Sequence, residues 1–228
     1  MMNVRAFMAQ FPDEQACREF LFHMRWPRGF ICTKCGENRY CAIKTRPVYE
    51  CLNCKTQTSV TANTIMHRSR LPLSYWLLTF YWMASGERCS ARKIAKTLKL
   101  NYRTALRLLH AVRYAMHKAE YAPLFEFWKS GRHCGSRESC VKRARIGLLK
   151  KARQFTRKYY GRVSKWRRES YYYEYRFRNN NEHQPSAALI KLISSGCATI
   201  YTLNEYGMLR AASRHRSRIA RASGLQFA

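Results

Sequence analysis

The sequence predicts a mainly α-helical protein with a small β-ribbon. The predicted order is a helix, the ribbon, two helices joined by a short turn, and a basic, largely helical C-terminal region. Two observations predict the helices: apolar residues recur every three or four positions, and Asp, Ser, Asn or Pro stands where each periodic stretch begins. A third predicts the ribbon: two Cys-x-x-Cys pairs lie fifteen residues apart around a strand-like stretch. With 228 residues, 46% of them hydrophobic, the chain has enough apolar side chains for packed cores.

The chain is strongly basic. Lys and Arg number 43 against 13 acidic residues, which gives a formal net charge of +30. A charge of this size favours a polyanionic partner, with nucleic acid as the first candidate and an anionic membrane surface as the second. The sequence contains no run of about 18 apolar residues that would span a bilayer. Its first residues lack the apolar core and the cleavage site of a signal peptide, so we expect a cytoplasmic protein.

The first predicted helix lies in "FPDEQACREFLFHMRWP". Asp13 is expected to cap its N-terminus, Glu14 falls in the first turn, and Pro27 and Gly29 end it. The apolar residues at helical spacing are Ala16, Phe20, Leu21 and Met24. We assign this N-terminal helical region to residues 1–27.

The ribbon is assigned to residues 28–62 and contains the four paired cysteines. These are Cys32, Cys35, Cys51 and Cys54. Each Cys-x-x-Cys step can present two thiolates to one ion, so two steps complete a tetrahedral shell for one structural Zn(II) per chain. The alternatives are a redox pair or free thiols, but a redox motif needs one pair near a βαβ pattern. Cys41 is interpreted as a spare thiol or as a replacement ligand, and "RPVYEC" as a strand that leads into the second pair.

Residues 70–119 are predicted to form a helix-turn-helix domain. Pro72 begins a helix that runs to about Ser85, Ser90 caps a short helix, and Asn101 caps a longer one after the turn "KLN". A short turn between two helices, the second amphipathic and basic, is typical of DNA-binding helix-turn-helix motifs. The alternative is an ordinary helical hairpin with a solvated basic face.

The N-terminal part of the longer helix carries polar residues off its apolar face. The candidate DNA contacts here are Ser90, Asn101, Tyr102, Arg103, Thr104 and Arg107. An arginine in a major groove can read guanine through two hydrogen bonds. His110 and Tyr114 lie one helical turn apart and are interpreted as groove-facing or surface residues.

The C-terminal region, residues 120–228, is rich in basic side chains. From Val141 to Arg168 it has twelve Lys or Arg and no acid, with a partial helical stripe. The candidate phosphate contacts in this stretch are Lys142, Arg143, Lys150 and Lys151. "YYYEYRFR" either stacks on bases or packs as a tyrosine-rich element against the protein. Pro185 begins a short predicted helix, and "RAASRHRSRIARA" is interpreted as a basic helix or tail.

The first half of the chain resembles a known family. Residues 11 to about 118 resemble the head of bacterial insertion-sequence transposases that carry an N-terminal zinc ribbon ahead of a DDE-type catalytic domain. The shared segments, in the family's order, are "FPDEQAC", "RWPRGFICTKCG", "YECLNC", "SVTANTIMHRSRLPLSYW" and "ARKIAKTLKLNYRTALRLLHAVRYAM". Asn63 stands where a glycine is usual, and Leu106 where an aromatic residue is common. Further on, "GLLKK" and "YYYEYRFRNNN" weakly resemble segments near the end of these transposases.

The resemblance implies double-stranded DNA at transposon ends as the partner, bound in the bacterial nucleoid. A homodimer and an association with a full-length transposase are the two protein assemblies to consider, and no membrane partner is expected.

The same resemblance raises the question of catalysis. DDE chemistry holds two Mg(II) ions with a cluster of carboxylates, yet the chain has a single aspartate, Asp13, before the ribbon. The acids beyond the paired helices are Glu120, Glu126, Glu138, Glu169, Glu174, Glu182 and Glu205. We assign no catalytic residue and expect an internal loss of the catalytic core, with a metal site built from Glu120, Glu126 and Glu138 as the alternative.

Three functions therefore stay open: a transposase-derived protein that binds transposon ends without cutting them, an active transposase, and a charge-driven nucleic-acid-binding module.

Overall fold

The computed structural model describes residues 4–43, 45–129, 137–163 and 168–201. These residues form eight helices and one small antiparallel sheet, which confirms the predicted fold class. The elements are α1 (Val4–Ala9), α2 (Glu14–Arg25), β1 (Tyr40–Ala42), β2 (Tyr49–Cys51), β3 (Gln57–Thr58), α3 (Leu73–Ala84), α4 (Ala91–Thr97), α5 (Tyr102–Lys129), α6 (Arg137–Tyr160), α7 (Arg168–Asn180) and α8 (Pro185–Ala198). The sequence did not predict α1, whose Phe7 stacks on Tyr81 of α3 with ring centroids 4.6 Å apart.

Two acidic residues at the start of α2 stabilise two different helices. The Asp13 side chain accepts a hydrogen bond from the Ala16 backbone N–H at 2.7 Å, as the sequence predicts for an N-cap. The Glu14 carboxylate reaches across to the first turn of α3, where the backbone N–H of Leu73 donates to it at 3.1 Å. Pro72, the residue before α3, offers no side-chain hydrogen bond, so Glu14 supplies the missing acceptor.

The three strands form an antiparallel sheet in the order β1-β2-β3. An aromatic cluster joins this sheet to α2. Its members are Phe22 and Trp26 from α2, Phe30 from the connection, and Tyr40 and Tyr49 from the strands. Phe22 lies 4.9 Å from Tyr49 and Trp26 lies 5.0 Å from Phe30, measured between ring centroids. The ribbon thus shares a small aromatic core with α2.

The helix α5 is the centre of the helical region. Every residue from Leu108 to Met116 is buried, and α3, α4, α7 and α8 all pack against this helix. The interpretation of His110 and Tyr114 as groove-facing or surface residues is therefore wrong, because their side chains are only 6% and 8% exposed. The sequence showed one apolar face here, but later helices cover the other faces as well.

The helices α7 and α8 complete this core. The helix α7 packs on α5 and α6, so "YYYEYRFR" is a tyrosine-rich helix that packs against the protein and leaves several rings partly exposed. The helix α8 packs on α2, α3 and α5. Its Gly196 carbonyl accepts a hydrogen bond from the Ile65 N–H at 3.1 Å. A Cβ atom on Gly196 would lie 3.0 Å from the Phe80 ring, so only glycine allows this close approach without a shift of the ring.

The helix in the basic stretch begins and ends earlier than the sequence suggested, which placed it within residues 141–168. The helix α6 starts at Arg137 and stops at Tyr160, and the following Gly161 adopts a positive φ of 73°. A glycine in this left-handed conformation directly after a helix commonly marks the end of that helix. The predicted basic helix or tail at 210–222 lies outside the described residues. Among the described helices, none combines the length and apolar character that a membrane crossing requires.

Candidate metal centre and nucleic-acid interface

The four paired cysteines lie together at one end of the ribbon. Their sulfur atoms all lie within 4.8 Å of one another, and the Cys32–Cys54 and Cys35–Cys51 pairs are 3.5 Å apart. Four sulfurs at about 2.3 Å from a tetrahedral Zn(II) would be separated by roughly 3.8 Å, so the observed cluster fits this ion. The cluster is a zinc-ribbon site for one structural zinc per chain.

Two equivalent turns bring these sulfurs together. In the first, the Gly36 N–H donates to the Cys32 carbonyl at 3.0 Å, and in the second the Lys55 N–H donates to the Cys51 carbonyl at the same distance. Gly36 and Lys55 both have positive φ, 75° and 57°. Glycine adopts this conformation freely, whereas lysine does so at an energetic cost. The backbone of Lys55 in the second turn therefore adopts a conformation that is locally unfavourable for lysine.

Nearby hydrogen-bond donors favour the thiolate form at two of the four positions. The hydroxyl and backbone N–H of Thr56 lower the pKa of Cys54 to about 6. The backbone N–H groups of Cys35 and Lys34 lower the pKa of Cys32. Thiolates are the ligands that zinc requires, so these donors prepare Cys32 and Cys54 for metal. At Cys35 the backbone N–H of Glu37 lowers the pKa, but desolvation and the neighbouring thiols outweigh it and raise the pKa to about 11. Cys41 is exposed on β1 and lies outside the sulfur cluster.

A β-ribbon that carries a closed four-cysteine site defines a zinc-ribbon domain. Residues 12–57, which span α2 and most of the ribbon, match the family model of the transposase zinc-ribbon domain. No curated protein and no solved structure matches the chain significantly. The predicted resemblance is thus confirmed for this part of the chain, whereas the resemblance beyond residue 57 stays a prediction.

The second candidate site is formed by α4, α5 and the turn between them. The Ser90 hydroxyl accepts a hydrogen bond from the Lys93 N–H at 3.2 Å, and the Asn101 side chain accepts one from the Arg103 N–H at 2.9 Å. Both predicted caps are therefore present. Lys99 in the turn has a positive φ of 52°, and the Leu100 N–H donates to the Ala95 carbonyl at 2.9 Å. These contacts fix the direction in which α5 continues after α4.

The first turns of α5 are open to solvent. Tyr102, Arg103 and Arg107 are exposed, Thr104 is half-buried, and the helix is continuously buried from residue 108 onward to Met116. Three further basic side chains are exposed on α4 and the turn: Arg92, Lys96 and Lys99. They were missed as candidate contacts, although their positions off the apolar face of α4 mark them in the sequence.

The helix α6 carries a second basic surface. Lys150 and Lys151, both predicted phosphate contacts, are exposed. Further exposed basic residues of this helix are Arg153, Arg157 and Lys158. The backbone of Lys142 and Arg143 lies in α6, but their side chains lie outside the described part of the chain.

One glutamate joins three helices in the core. The fully buried Glu174 carboxylate accepts hydrogen bonds from Arg113 Nε at 2.8 Å, from the Tyr160 hydroxyl at 2.5 Å and from Arg178 at 2.9 Å. The Arg113 guanidinium also lies 3.9 Å from the centroid of the Tyr171 ring. We call Arg113, Tyr160, Glu174 and Arg178 the Glu174 cluster. Sequence reasoning missed it because its members lie far apart along the chain.

The Glu174 cluster also reaches the segment before α4. Arg178 donates to the Glu87 carbonyl oxygen at 2.8 Å, and the Glu87 carboxylate accepts from Lys93 of α4 at 2.8 Å. These bonds connect α7 to α4.

A second glutamate, Glu120, is held in a similar way. Its carboxylate accepts from Lys191 at 2.7 Å, from Asn180 at 2.6 Å and from Asn181 at 3.0 Å. This carboxylate was one of three in the alternative metal site; the side chains of Glu126 and Glu138 lie outside the described residues. Within the described residues, the four cysteines are the one group with the geometry for a metal ion.

Proposed function

We propose that this chain is a DNA-binding protein derived from an insertion-sequence transposase. In this proposal it recognises transposon-end DNA through the zinc ribbon and the α4–α5 helix-turn-helix, and it does not cut or join the DNA. The observation that carries the proposal is the short open segment at the start of α5, directly after a transposase-type zinc ribbon.

This open segment limits where base recognition can occur. Because α5 is continuously buried from Leu108 to Met116, a major groove that meets the N-terminal part of this helix can contact residues 102–107 and not the nine that follow. Arg103 and Arg107 are exposed and lie one turn apart, so both can face the same groove. Recognition helices contact base edges with their N-terminal residues, and arginine is the commonest reader of guanine.

The remaining basic surface supports phosphate contacts. Arg92, Lys96 and Lys99 flank the open segment, and α6 presents a second exposed basic face. Contacts of this kind hold the protein on DNA and set its orientation, but they do not select sequence. A formal net charge of +30 makes a large salt-dependent contribution to binding.

The use of the carboxylates supports binding without catalysis. Mg(II) clusters need carboxylate oxygens that are free to bind the ions. Asp13 caps α2, Glu14 caps α3, and Glu120 and Glu174 hold helices together. All four carboxylates therefore have structural partners in the described part of the chain.

The test compares Arg103→Ala with Lys150→Ala on DNA that carries the ends of a neighbouring insertion sequence and on unrelated DNA. We expect Arg103→Ala to reduce the preference for the matched DNA by about 1–3 kcal/mol. Lys150→Ala should weaken binding to both DNAs equally and lower the salt slope by about one. Equal weakening of all DNA by both variants would favour the charge-driven module instead.

A second measurement addresses catalysis. The zinc-loaded protein is incubated with Mg(II) or Mn(II) and DNA that carries its matched ends. Binding without cleavage supports the proposal. Site-specific nicking or joining would identify an active transposase and refute it, above all if the activity disappears in Glu138→Gln.

A further inference from the structure

A cavity of about 320 Å³ opens where the ends of α3 and α7 meet α6. Three aromatic side chains form part of its wall: Phe155 and Tyr159 from α6, and Tyr175 from α7. The rings of Phe155 and Tyr159 stack with centroids 4.7 Å apart, and the Phe155 and Tyr175 rings lie 5.4 Å apart. All three side chains are only partly buried, so ring surface is available to a ligand.

The polar part of the wall includes Arg178, whose guanidinium is held inside the protein. The Arg178 side chain is 10% exposed, and its terminal nitrogen is engaged by Glu174 and the Glu87 carbonyl. Its Nε atom is buried and has no hydrogen-bond partner among the described residues. The exposed Asn179 and Glu182 also line the cavity and add hydrogen-bond acceptors.

These features together select a class of ligand. A purely apolar ligand would displace water from the exposed Asn179 and Glu182 without replacing its hydrogen bonds, which is costly. A simple anion would meet the Glu182 carboxylate, and the partial negative charge at the carbonyl ends of α3 and α7 offsets the partial positive charge at the N-terminus of α8, whose Pro185 also lines the cavity. A nucleobase is flat, stacks on aromatic rings, and has both donors and acceptors at its edge.

The surroundings of the cavity also favour nucleic acid. Lys151, Phe155 and Tyr159 follow one another at four-residue intervals and so lie along one row of α6. Lys151 is exposed, and the Lys158 ammonium lies 5.9 Å from the centroid of the Tyr159 ring. Gly86, at the other side of the cavity, precedes α4 by only a few residues. The cavity therefore lies between the basic face of α6 and the start of the α4–α5 unit.

We propose that this cavity binds one unpaired nucleobase of the DNA that the basic surfaces hold, an inference that rests on the proposed function. The base stacks on the ring surface of Tyr175 and Phe155, and donors at its edge face the oxygen atoms of Asn179 and Glu182 at the polar side of the cavity. Only an unpaired base can enter, because bases inside a duplex are stacked and paired. The cavity thus adds a preference for DNA with an unpaired nucleotide.

The first experiment measures affinity for two matched duplexes that differ by a single unpaired nucleotide, with the full-length, zinc-loaded protein. One stacked base contributes about 1–3 kcal/mol, so we expect roughly 5- to 150-fold tighter binding of the duplex with the unpaired nucleotide. Tyr175→Leu should remove this advantage. Tyr172→Leu is the matched control, because Tyr172 lies in the same helix but does not line the cavity.

The second experiment uses a single-stranded oligonucleotide that carries 5-iodouracil and is irradiated on the protein. Cross-links should map to Phe155, Tyr159 or Tyr175, and the yield should fall in Tyr175→Leu but not in Tyr172→Leu. Helicity and zinc content are compared in all variants, so that a folding defect is recognised. If Tyr175→Leu is misfolded, the cross-link positions in the unmodified chain alone decide whether the cavity binds a base.

The outcomes separate this inference from the proposed function. If matched ends are preferred but the unpaired nucleotide adds no affinity and cross-links map elsewhere, the cavity inference is wrong and the proposed function stands. If no duplex sequence is preferred but cross-links map to the cavity, the inference stands and end recognition fails.

Discussion

The zinc ribbon and the helical region of this molecule are held together by different means. The ribbon has short strands and one small aromatic cluster, and its four sulfurs come from two turns within residues 32–54. The helical region has a continuous apolar core around α5, and its buried carboxylates join helices that are distant in sequence. The ribbon depends on metal, whereas the helices depend on packing and on ion pairs.

This difference shows where a strongly basic protein places its few acidic groups. In the ribbon, four thiolates supply negative charge, and one Zn(II) neutralises half of it. In the helical region, Glu120 and Glu174 supply it, and each accepts hydrogen bonds from several side chains. Lysines and arginines on α4, α5 and α6 are exposed and available to the DNA of the proposed function.

The largest expected effect is the loss of the ribbon without zinc. Structural zinc binds such sites with about 10–16 kcal/mol of apparent free energy, which is also folding free energy. Cys51→Ser should therefore abolish zinc binding, measured as metal per chain, and unfold the ribbon. The helical signal in circular dichroism should fall only slightly, because none of the four ligands lies in a helix.

The matched control for this prediction is Cys41→Ser. Cys41 lies in the same ribbon, is exposed and is outside the sulfur cluster, so this variant should keep about one zinc per chain. A Cys51→Ser protein that retains zinc, or a disulfide among the four cysteines of the unmodified protein, would contradict the metal assignment.

The next effect in size concerns Glu174. Glu174→Gln leaves the buried guanidinium of Arg113 without its counter-charge, and breaking a buried ion pair in this way costs about 3–5 kcal/mol. Glu87→Gln removes a half-exposed pair with Lys93 and should cost about 1 kcal/mol or less. Urea unfolding measures both, and zinc content should not change. Equal losses of stability in the two variants would show that burial does not distinguish these pairs.

The smallest effect is a dependence of stability on pH through Glu120. Burial opposes its charge, but hydrogen bonds from Lys191, Asn180 and Asn181 outweigh this, and the pKa of Glu120 is lowered below its ordinary 4.5. Its contribution to stability is therefore complete above about pH 4.5 and is lost as the pH falls through the lowered value. Glu120→Gln should be less stable at pH 7 and should lose less further stability on acidification. If the stability of Glu120→Gln fell as steeply on acidification as that of the unmodified chain, this role would be disproved.

The sequence predicted the ribbon well because its determinants are local. The spacing of Cys32, Cys35, Cys51 and Cys54 is enough to place four thiols around one ion. The same holds for the caps at Asp13, Ser90 and Asn101, each of which bonds within three residues. Even the departure at Asn63 has a local cause, since this residue has a φ of 58°, a conformation that glycine adopts freely and asparagine tolerates.

The positions of the buried charges could not be predicted in this way. Glu174 and Glu120 stand in sequences that resemble exposed basic helices, and their roles depend on partners from other helices. The burial of His110 and Tyr114 likewise depends on helices that follow α5 in the chain. Helical periodicity identifies one core-facing side, but it does not reveal how many sides a central helix buries.

The contact between Ile65 and Gly196 joins parts of the chain that are synthesised far apart in time. The ribbon has all its ligands once residue 54 has left the ribosome, and it can bind metal from then on. The core around α3 is completed much later, because α8, which covers Phe80 and Ile65, is synthesised near the end of the chain. Contacts between distant parts of a chain form slowly and leave apolar surface exposed until then. A chain that stops before residue 185 therefore carries a finished ribbon on an open, aggregation-prone core.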